Sequence, residues 1–320
     1  MKVMVVGDVM VDAYLFGKVE RISPEAPVPV VQVERRMNRL GGAANVALNI
    51  KSLGAEPILC SVTGNDLKGQ EFMQILKEEG ISDNGIYPSS SRITTTKFRV
   101  IGNKSQMLRV DEEMTDDLDR HDQAALLELI NGILDRQKID ALILQDYNKG
   151  VLTPAIIKKV IEKASAKKIP VAVDPKRHNF LQFKGATLFK PNLKELREGL
   201  NKDIRVGTSR ELDEAAAFFH KEHGNEILMT TLSDKGVFIS HKLADGSIRS
   251  RIIPAHVRTI ADVSGAGDTV ISVAALCLAC GMAPFDMAAV ANLAGGLVCE
   301  EVGVVPVNRD KLLKEILEML

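Results

Sequence analysis

Short runs of apolar residues alternate along the chain with longer segments in which apolar residues recur every three or four positions. The first pattern is typical of strands buried on both faces, and the second is typical of helices. The predicted strands are 3–6, 57–62, 141–145, 171–174, 187–190, 226–230 and 237–240. The predicted helices are 45–53, 69–79, 121–134, 153–166, 193–199, 210–222, 269–280 and 287–298. This repeated succession of strand and helix predicts an α/β fold with a doubly wound, mostly parallel sheet covered by helices on both faces.

Two segments interrupt this alternation. Segment 13–37 lacks helical periodicity and is rich in proline, and segment 94–110 alternates polar and β-branched residues around a predicted hairpin turn at Gly102-Asn103. Both patterns are typical of antiparallel ribbons that lie outside a main sheet. We therefore expect a small β lid built from about 13–37 and 94–110, inserted in a single domain that spans 1–320.

Composition and charge exclude some classes of protein. The net charge of -1 provides no basic field that would attract nucleic acid or an acidic membrane. The most apolar stretch, 270–283, is too short to span a bilayer, and the chain begins with a predicted strand that lacks the pattern of a signal peptide. We therefore expect a cytoplasmic enzyme that binds neither nucleic acid nor membrane.

The cysteines predict packing rather than chemistry. The chain has 4 cysteines, which is too few for a disulfide scaffold at this length. Cys277 and Cys280 form a C-x-x-C pair inside an apolar run, without the polar neighbours or second pair that a redox or zinc site needs. Packing on one helix face is the favoured interpretation.

The most informative segment is Asp262-Val-Ser-Gly-Ala-Gly-Asp268-Thr. Gly265, Ala266 and Gly267 are small and precede an apolar helix, so their backbone N–H groups and the helix dipole favour an anion at that point. Asp268, in the first helical turn beside this anion hole, could accept a proton from an attacking hydroxyl group. Alternatively, Asp268 only caps the helix, and the spacing alone leaves both interpretations open.

Two further segments are candidates for binding a polyol. Gly41 and Gly42 allow a ligand to approach the backbone, and Asn45 can both donate and accept hydrogen bonds. Asp8 follows the first strand, where open α/β sheets bind ligands, and Asp12 lies four residues later. The competing interpretations are glycines that permit tight packing and ordinary loop carboxylates.

Two nucleotide-binding motifs are absent from the sequence. No G-x-x-x-x-G-K-[ST] occurs, which excludes a P-loop enzyme, and Gly265-x-Gly267 lacks the third glycine of a dinucleotide-binding G-x-G-x-x-G.

Taken together, these segments resemble the PfkB, or ribokinase, family of carbohydrate kinases. The segment 41–47 is similar to the family's first signature and 262–272 to its second, and the resemblance covers essentially the whole chain. It implies a ribokinase-like fold with a β lid, ATP as the phosphoryl donor, Asp268 as the catalytic base and Gly265–Gly267 as the anion hole.

The resemblance also implies nucleotide and metal positions. Asn192-Leu-Lys-Glu195 resembles the N-x-x-E motif that organises Mg²⁺ and phosphates indirectly, and Thr231 and Gly236 resemble a strand-end segment near the ATP phosphates. Asn292 matches a position near the adenine. Asp262 and the loop 303–306 correspond to a place where many members bind a monovalent cation such as K⁺.

Within the family, the chain is most similar to the members that phosphorylate heptose 7-phosphate for lipopolysaccharide core synthesis. The segments that carry this similarity are 7–12, 21–29, 41–45, 146–150 and 174–176, with mild departures at Ser264 and Asn148. It implies phosphorylation at C1 of D-glycero-D-manno-heptose 7-phosphate.

A sugar phosphate needs cationic partners. The candidates are Lys97, Arg99 and Arg109 on the predicted lid and Lys176 after a strand, although each could be an ordinary surface charge. An exposed lid ribbon also favours pairing with a second copy, so we expect a homodimer. The alternatives are a PfkB kinase for another sugar and a non-catalytic sugar-binding regulator, which should have lost the base or the anion hole.

Overall fold

The structure, a computed structural model, describes residues 1–205 and 210–319. Its strands are β1 Lys2–Gly7, β2 Val9–Ile22, β3 Pro29–Gly42, β4 Glu56–Gly64, β5 Ile86–Ser89, β6 Thr96–Gly102, β7 Ser105–Glu112, β8 Ala141–Gln145, β9 Val171–Asp174, β10 Leu188–Phe189, β11 Ile227–Thr231, β12 Val237–Lys242 and β13 Ile248–Ile253. Its α-helices are α1 Ala43–Ser52, α2 Leu67–Glu78, α3 Arg120–Arg136, α4 Pro154–Ala166, α5 Leu193–Leu200, α6 Arg210–Phe218, α7 Ala266–Ala279, α8 Pro284–Val298 and α9 Arg309–Met319.

The main sheet has the strand order β13-β12-β11-β10-β9-β8-β1-β4-β5. Its strands run parallel from β11 through β5, and β12 and β13 extend one edge as an antiparallel pair. This arrangement confirms the predicted doubly wound α/β class. Because the carboxyl ends of the parallel strands share one edge, side chains that follow β1, β8, β9 and β10 are brought close together.

Side-chain caps explain where several helices begin. Asp66 accepts the N–H of Gly69 at the start of α2, and Thr153 accepts that of Ile156 at the start of α4. Asn192 and Glu195 form a reciprocal capping box on α5. Such caps satisfy N–H groups that have no partner within the helix.

The sheet separates two hydrophobic cores. Successive residues of β1 point to opposite sides, so Val3 and Val5 join one core whereas Met4 and Val6 join the other. Helix α7 belongs to the first core, and its residues from Thr269 to Cys277 are buried. This burial fixes the helix against the sheet and holds its N-terminus at the carboxyl edge of the strands.

The lid is a separate sheet with the strand order β3-β2-β6-β7. It extends further than the predicted 13–37 and 94–110, because β2 begins at Val9 and β3 ends at Gly42, directly before α1. Its pairing is also mixed, because β2 runs parallel to β6. The β6–β7 turn has Asn103 and Lys104 at its centre, both with positive φ, one residue later than predicted.

Other differences concern the ends of the sheet and the chain. The short edge strands β5 and β13 and the helix α9 were missed by the sequence pattern. The predicted helix 210–222 is α6 followed by a π-helical turn over Phe219–His223. In the described part of the chain, none of the helices combines the length and the apolar character needed to cross a membrane.

Candidate active site

Three of the predicted site residues, Asp8, Asn45 and Asp268, are connected by hydrogen bonds at the carboxyl edge of the main sheet. Asp268 lies in the first turn of α7, where Gly265 is the N-cap residue with φ of 80° and the helix has no side-chain cap. The carboxylate of Asp268 therefore does not cap its own helix. It is buried and makes its hydrogen bonds to residues that lie far away in the sequence.

The two oxygens of the Asp268 carboxylate have different partners. Oδ1 accepts the hydroxyl of Tyr147 at 2.7 Å and Nε2 of Gln145 at 3.2 Å. Within the described residues, Oδ2 accepts only Nδ2 of Asn45, at 2.7 Å. A carboxylate oxygen offers two lone pairs, so Oδ1 is fully used whereas Oδ2 can accept one more hydrogen bond.

The amide group of Asn45 that donates to Oδ2 also carries the oxygen Oδ1. Asn45 Oδ1 is buried and has no hydrogen-bond partner within residues 1–205 and 210–319. A buried acceptor without a partner is energetically unfavourable in the free protein, and a hydroxyl group of a ligand would satisfy it. Asn45 Oδ1 and Asp268 Oδ2 together form a pair of acceptors suited to a polyol.

Burial dominates the electrostatics of the base. Burial raises the pKa of Asp268 to about 6, the hydrogen bonds from Asn45 and Tyr147 oppose that rise, and Asp174 and Lys190 act in opposite directions. A carboxyl group with a pKa near 6 is ionised at neutral pH yet more basic than an ordinary aspartate, as proton abstraction requires.

A buried cation lies next to the proposed anion hole. Lys190 follows β10, is buried, and pairs with Asp174 Oδ2 at 3.1 Å. A Cβ atom added at Gly267 would lie 3.8 Å from Lys190 Nζ and 3.9 Å from Asp174 Oδ2, with no closer obstacle. The absence of a side chain at Gly267 therefore leaves an open space that faces the Lys190–Asp174 ion pair.

Asp8 is engaged by the backbone of the segment after β8. Its Oδ2 accepts the N–H groups of Tyr147 at 2.7 Å and Lys149 at 3.1 Å, and its Oδ1 accepts that of Val151 at 3.0 Å. Burial raises its pKa, and these three bonds oppose that rise. The arrangement favours an anchoring role, and the predicted contact of Asp8 with sugar stays a prediction.

Asp12 lies on the lid, close to the glycines of the first signature. Its Oδ1 accepts Nη1 of Arg99 at 2.5 Å. A Cβ atom at Gly41 would lie 2.4 Å from Asp12 Oδ2, and one at Gly42, whose φ is 61°, would lie 2.3 Å from Asp8 O. Both glycines are thus required for close packing, which accords with one of the two interpretations and leaves a ligand contact as a prediction.

Each candidate cation for the sugar phosphate has an acidic partner. Lys97 pairs with Asp111 and Glu113, Arg109 with Asp111, and Arg99 with Asp12. The strand register places all three cations on one face of the lid. Lys176 pairs instead with Glu195, and its Nζ lies 5.5 Å from the ring centroid of Tyr147. The ion pair to Glu195 links Lys176 to the predicted nucleotide side.

The residues predicted to bind the nucleotide lie along the same edge. Asn192 forms a bridge to Thr231, and Glu195 accepts the N–H of Asn192 at 2.8 Å. Gly236 adopts a φ of 91° close to the backbone of Ile253. Asn292, on α8, donates to Pro254 O at 2.9 Å.

The candidate metal residues provide oxygen atoms but no complete cage. Among the residues that the structure describes, no group of three or more His, Cys, Asp or Glu side chains could hold a metal. Mg²⁺ usually keeps several waters and binds substrate phosphates together with one or two protein oxygen ligands. Asp262 accepts the N–H groups of Ser264 at 2.9 Å and Gly303 at 3.0 Å, and so ties the loop 303–306 to the start of the second signature.

Sequence reasoning missed three residues of this site. Gln145 ends a predicted strand, Tyr147 lies in the segment 146–150, and Lys190 ends another predicted strand. Their position at strand ends in a parallel sheet was the available signal. Arg39, which donates to Val304 O at 2.8 Å, was also missed because a single arginine in a polar ribbon carries no distinguishing pattern.

Comparison with known proteins identifies similar sequences. The model of the pfkB family carbohydrate kinases matches residues 1–311. The bifunctional protein HldE of Caulobacter sp. (strain K31) is 41% identical over 97% of this chain and 62% of its own length, so the chain spans about three fifths of that relative. The D-beta-D-heptose 7-phosphate kinase of Bordetella bronchiseptica is 40% identical over 98% of this chain and 96% of its own length.

Solved structures share the fold at low identity. Phosphofructokinase-2 from Escherichia coli in complex with potassium superimposes with a TM-score of 0.78 at 17% identity, covering 98% of this chain and 96% of that one. Ribokinase from Arabidopsis thaliana complexed with ribose and ATP gives a TM-score of 0.72 at 17% identity, covering 98% and 97%.

Proposed function

The chain belongs to the pfkB family of carbohydrate kinases, and on that premise we propose that its substrate is D-glycero-D-manno-heptose 7-phosphate. The enzyme transfers the γ-phosphoryl group of ATP to the C1 hydroxyl and produces the 1,7-bisphosphate for ADP-heptose and lipopolysaccharide core synthesis. One observation carries the choice of sugar: the Bordetella bronchiseptica relative that aligns over nearly its whole length is named a heptose 7-phosphate kinase.

Asp268 acts as the base. The C1 hydroxyl donates to Oδ2, the oxygen that accepts only Asn45, and a neighbouring sugar hydroxyl donates to the unpartnered Asn45 Oδ1. As the new bond forms between the sugar oxygen and the γ-phosphorus, the bond to the leaving ADP breaks and the hydroxyl proton passes to Asp268. Holding both reactants in this geometry contributes most of the acceleration, because phosphoryl transfer needs little covalent help from protein.

Charge on the transferring group is stabilised from two sides. The N–H groups of Gly265, Ala266 and Gly267 at the start of α7 form the anion hole, and Lys190 adds a buried positive charge beside Gly267. Asn192 and Glu195 are the residues that would hold Mg²⁺ indirectly, and the ion would supply positive charge that neutralises the phosphates. Thr231 and Gly236 lie beside the phosphates and Asn292 near the adenine. A K⁺ ion beside Asp262 and the loop 303–306 belongs to the same proposal.

The sugar phosphate lies at the lid. Lys97, Arg99 and Arg109 share one lid face, and Asp12 holds sugar hydroxyls beside Arg99. Because these cations are already paired with acids, the phosphate competes with Asp12, Asp111 and Glu113 for them. Lys176 lies on the nucleotide side of the base, so we assign it to the transferring phosphoryl group.

The opposite face of the lid is suited to a second copy of the chain. Leu108 and Val110 alternate along β7 and are 56% and 45% exposed, and Val100 is the cross-strand neighbour of Leu108. A row of exposed apolar side chains on a sheet favours aggregation unless another chain covers it. We therefore propose a homodimer formed through the lids.

A substrate panel tests the proposed function. We expect heptose 7-phosphate to exceed unphosphorylated heptose by at least about 100-fold in kcat/KM, because two charge-assisted phosphate contacts contribute about 3 kcal/mol. Fructose 6-phosphate is the control for another sugar phosphate. If the enzyme prefers fructose 6-phosphate to heptose 7-phosphate, the result favours a pfkB kinase for a different sugar. If heptose and heptose 7-phosphate are phosphorylated with equal kcat/KM, the lid cations do not bind the sugar phosphate.

The base is tested in the same assay. Asp268→Asn keeps the size of the side chain but removes its basicity, so we expect kcat to fall by about 10²–10⁴-fold. Asp135→Asn, the same substitution at an exposed ion pair on α3, serves as the matched control and should leave kcat unchanged. A variant at 268 that retains more than about a tenth of the wild-type kcat would contradict the assignment. If the wild-type protein itself does not turn over ATP, the result favours a non-catalytic sugar-binding regulator.

A further inference from the structure

The segment 146–150 forms a hydrogen-bonded turn that carries one aromatic side chain, Tyr147, with no role in the phosphoryl transfer described above. Tyr147 follows β8, and its backbone N–H is held by Asp8 Oδ2 at 2.7 Å. The next residue, Asn148, adopts a positive φ of 54° and donates its N–H to Asp146 Oδ1 at 2.7 Å. These contacts fix the turn, so the direction of the Tyr147 side chain is determined by the fold rather than by a flexible loop.

The ring of Tyr147 lies between the base and the nucleotide side. Its hydroxyl donates to Asp268 Oδ1 at 2.7 Å, and the ammonium group of Lys176 lies 5.5 Å from its ring centroid. Lys176 is itself paired with Glu195 of the nucleotide motif. A cation over the ring restrains its orientation, and this in turn restrains the hydroxyl that reaches Asp268.

We propose that Tyr147 is a positioning residue for the base: its hydroxyl occupies Oδ1 of Asp268 and leaves Oδ2 as the oxygen that receives the proton of the sugar hydroxyl. This inference rests on the proposed function. Without Tyr147, Oδ1 would retain only the longer bond from Gln145, and the carboxylate could rotate or accept the sugar hydroxyl on either oxygen. Only one of these arrangements keeps the hydroxyl beside Asn45 Oδ1.

The charged groups around the carboxylate determine the sign of the expected pH effect. Asp268 is faced by Asp174 and Lys190 from the ends of β9 and β10, and by Lys176 after β9. Tyr147 itself stays protonated, because burial and the neighbouring Asp268 raise its pKa well above the ordinary value. The Tyr147 bond lowers the pKa of Asp268, so removing the hydroxyl raises that pKa further above about 6. Activity should then be lost at a higher pH as the solution is acidified.

The test is Tyr147→Phe, assayed with MgATP and heptose 7-phosphate across pH 5 to 9. We expect the acid limb of kcat to move up by about one pH unit, with a loss of at most about tenfold at the alkaline plateau, where the base is ionised in both proteins. Tyr87→Phe is the matched control. Tyr87 lies in the edge strand β5, and its hydroxyl contacts Nε2 of His121 at 3.1 Å. Removing this hydroxyl should leave the pH profile of kcat unchanged. A Tyr147→Phe acid limb that coincides with that of the wild type would overturn the proposal.

A second measurement does not depend on activity. Carbon-13 NMR of aspartate-labelled protein, with Asp268→Asn used for assignment, follows the carboxyl titration in the absence of substrate. We expect the Asp268 titration to move upward in Tyr147→Phe, and to move downward when 3-fluorotyrosine, a stronger donor, replaces Tyr147. If both titrations are unchanged, the inference is wrong even if the kinase assay succeeds. If they shift while no sugar is phosphorylated, the positioning contact stands and the proposed function fails.

Discussion

Replacing Asp8 by asparagine separates an anchoring role from direct sugar binding. In the native protein the two carboxylate oxygens serve the backbone N–H groups of Tyr147, Lys149 and Val151. An asparagine side chain has one acceptor oxygen and one donor amide. If the oxygen serves Tyr147 and Lys149, the amide faces the N–H of Val151, and that buried donor is left without a partner.

The magnitude follows from these contacts. An unsatisfied buried donor lowers the free energy of unfolding by about 1–3 kcal/mol. Asparagine also weakens the bonds to Tyr147 and Lys149, but it no longer requires burial of a charged carboxylate, and these two effects offset each other. For a domain of 320 residues, that loss lowers Tm by roughly 1–5 °C. Because the same contacts hold the turn that directs Tyr147 toward Asp268, kcat should also fall, whereas KM for the sugar should change little.

The assay is thermal unfolding followed by circular dichroism, together with steady-state kinetics. Asp12→Asn provides the comparison, because it is the same substitution on a side chain that accepts Arg99 and no backbone N–H. We expect it to raise KM for the sugar with a smaller loss of Tm. The reasoning is refuted if Asp8→Asn leaves Tm unchanged and raises KM instead, since Asp8 would then bind sugar directly.

Two further predictions concern the anion hole and the lid. Gly267→Val should reduce kcat by at least about 100-fold, because the added side chain enters the open space beside Lys190. Tm should fall by only a few degrees, because residue 267 already has a helical backbone conformation that valine can adopt. Normal turnover in a folded variant would show that the loop is only a helix start. Leu108→Glu should convert a lid-mediated dimer to a monomer, because it buries a charge in the proposed apolar interface. Analytical ultracentrifugation measures this change, and an unchanged oligomeric state would exclude the lid as the interface.

The sequence by itself determined the class of fold and the position of the main signatures. Strand-like runs such as 141–145 and 171–174 correspond to β8 and β9, because continuous apolar runs between turn residues are a local signal. The sequence also predicted an apolar helix over 269–280 after the small residues, and α7 begins three residues earlier than predicted, at Ala266. The short edge strand β5 was missed because a strand of four residues is too short to show an alternation of buried and exposed positions.

Only the tertiary structure decided what each carboxylate contacts. Asp8 and Asp12 are four residues apart, yet β1 ends between the main sheet and the lid, so Asp8 holds the turn after β8 whereas Asp12 meets Arg99 on the lid. Asp268 bonds to Asn45 and Tyr147, which are separated from it by 223 and 121 residues. Local propensity reports the backbone conformation of neighbouring residues, but a hydrogen-bond partner is selected by the packing of distant segments, and no pattern in the sequence near Asp268 could specify it.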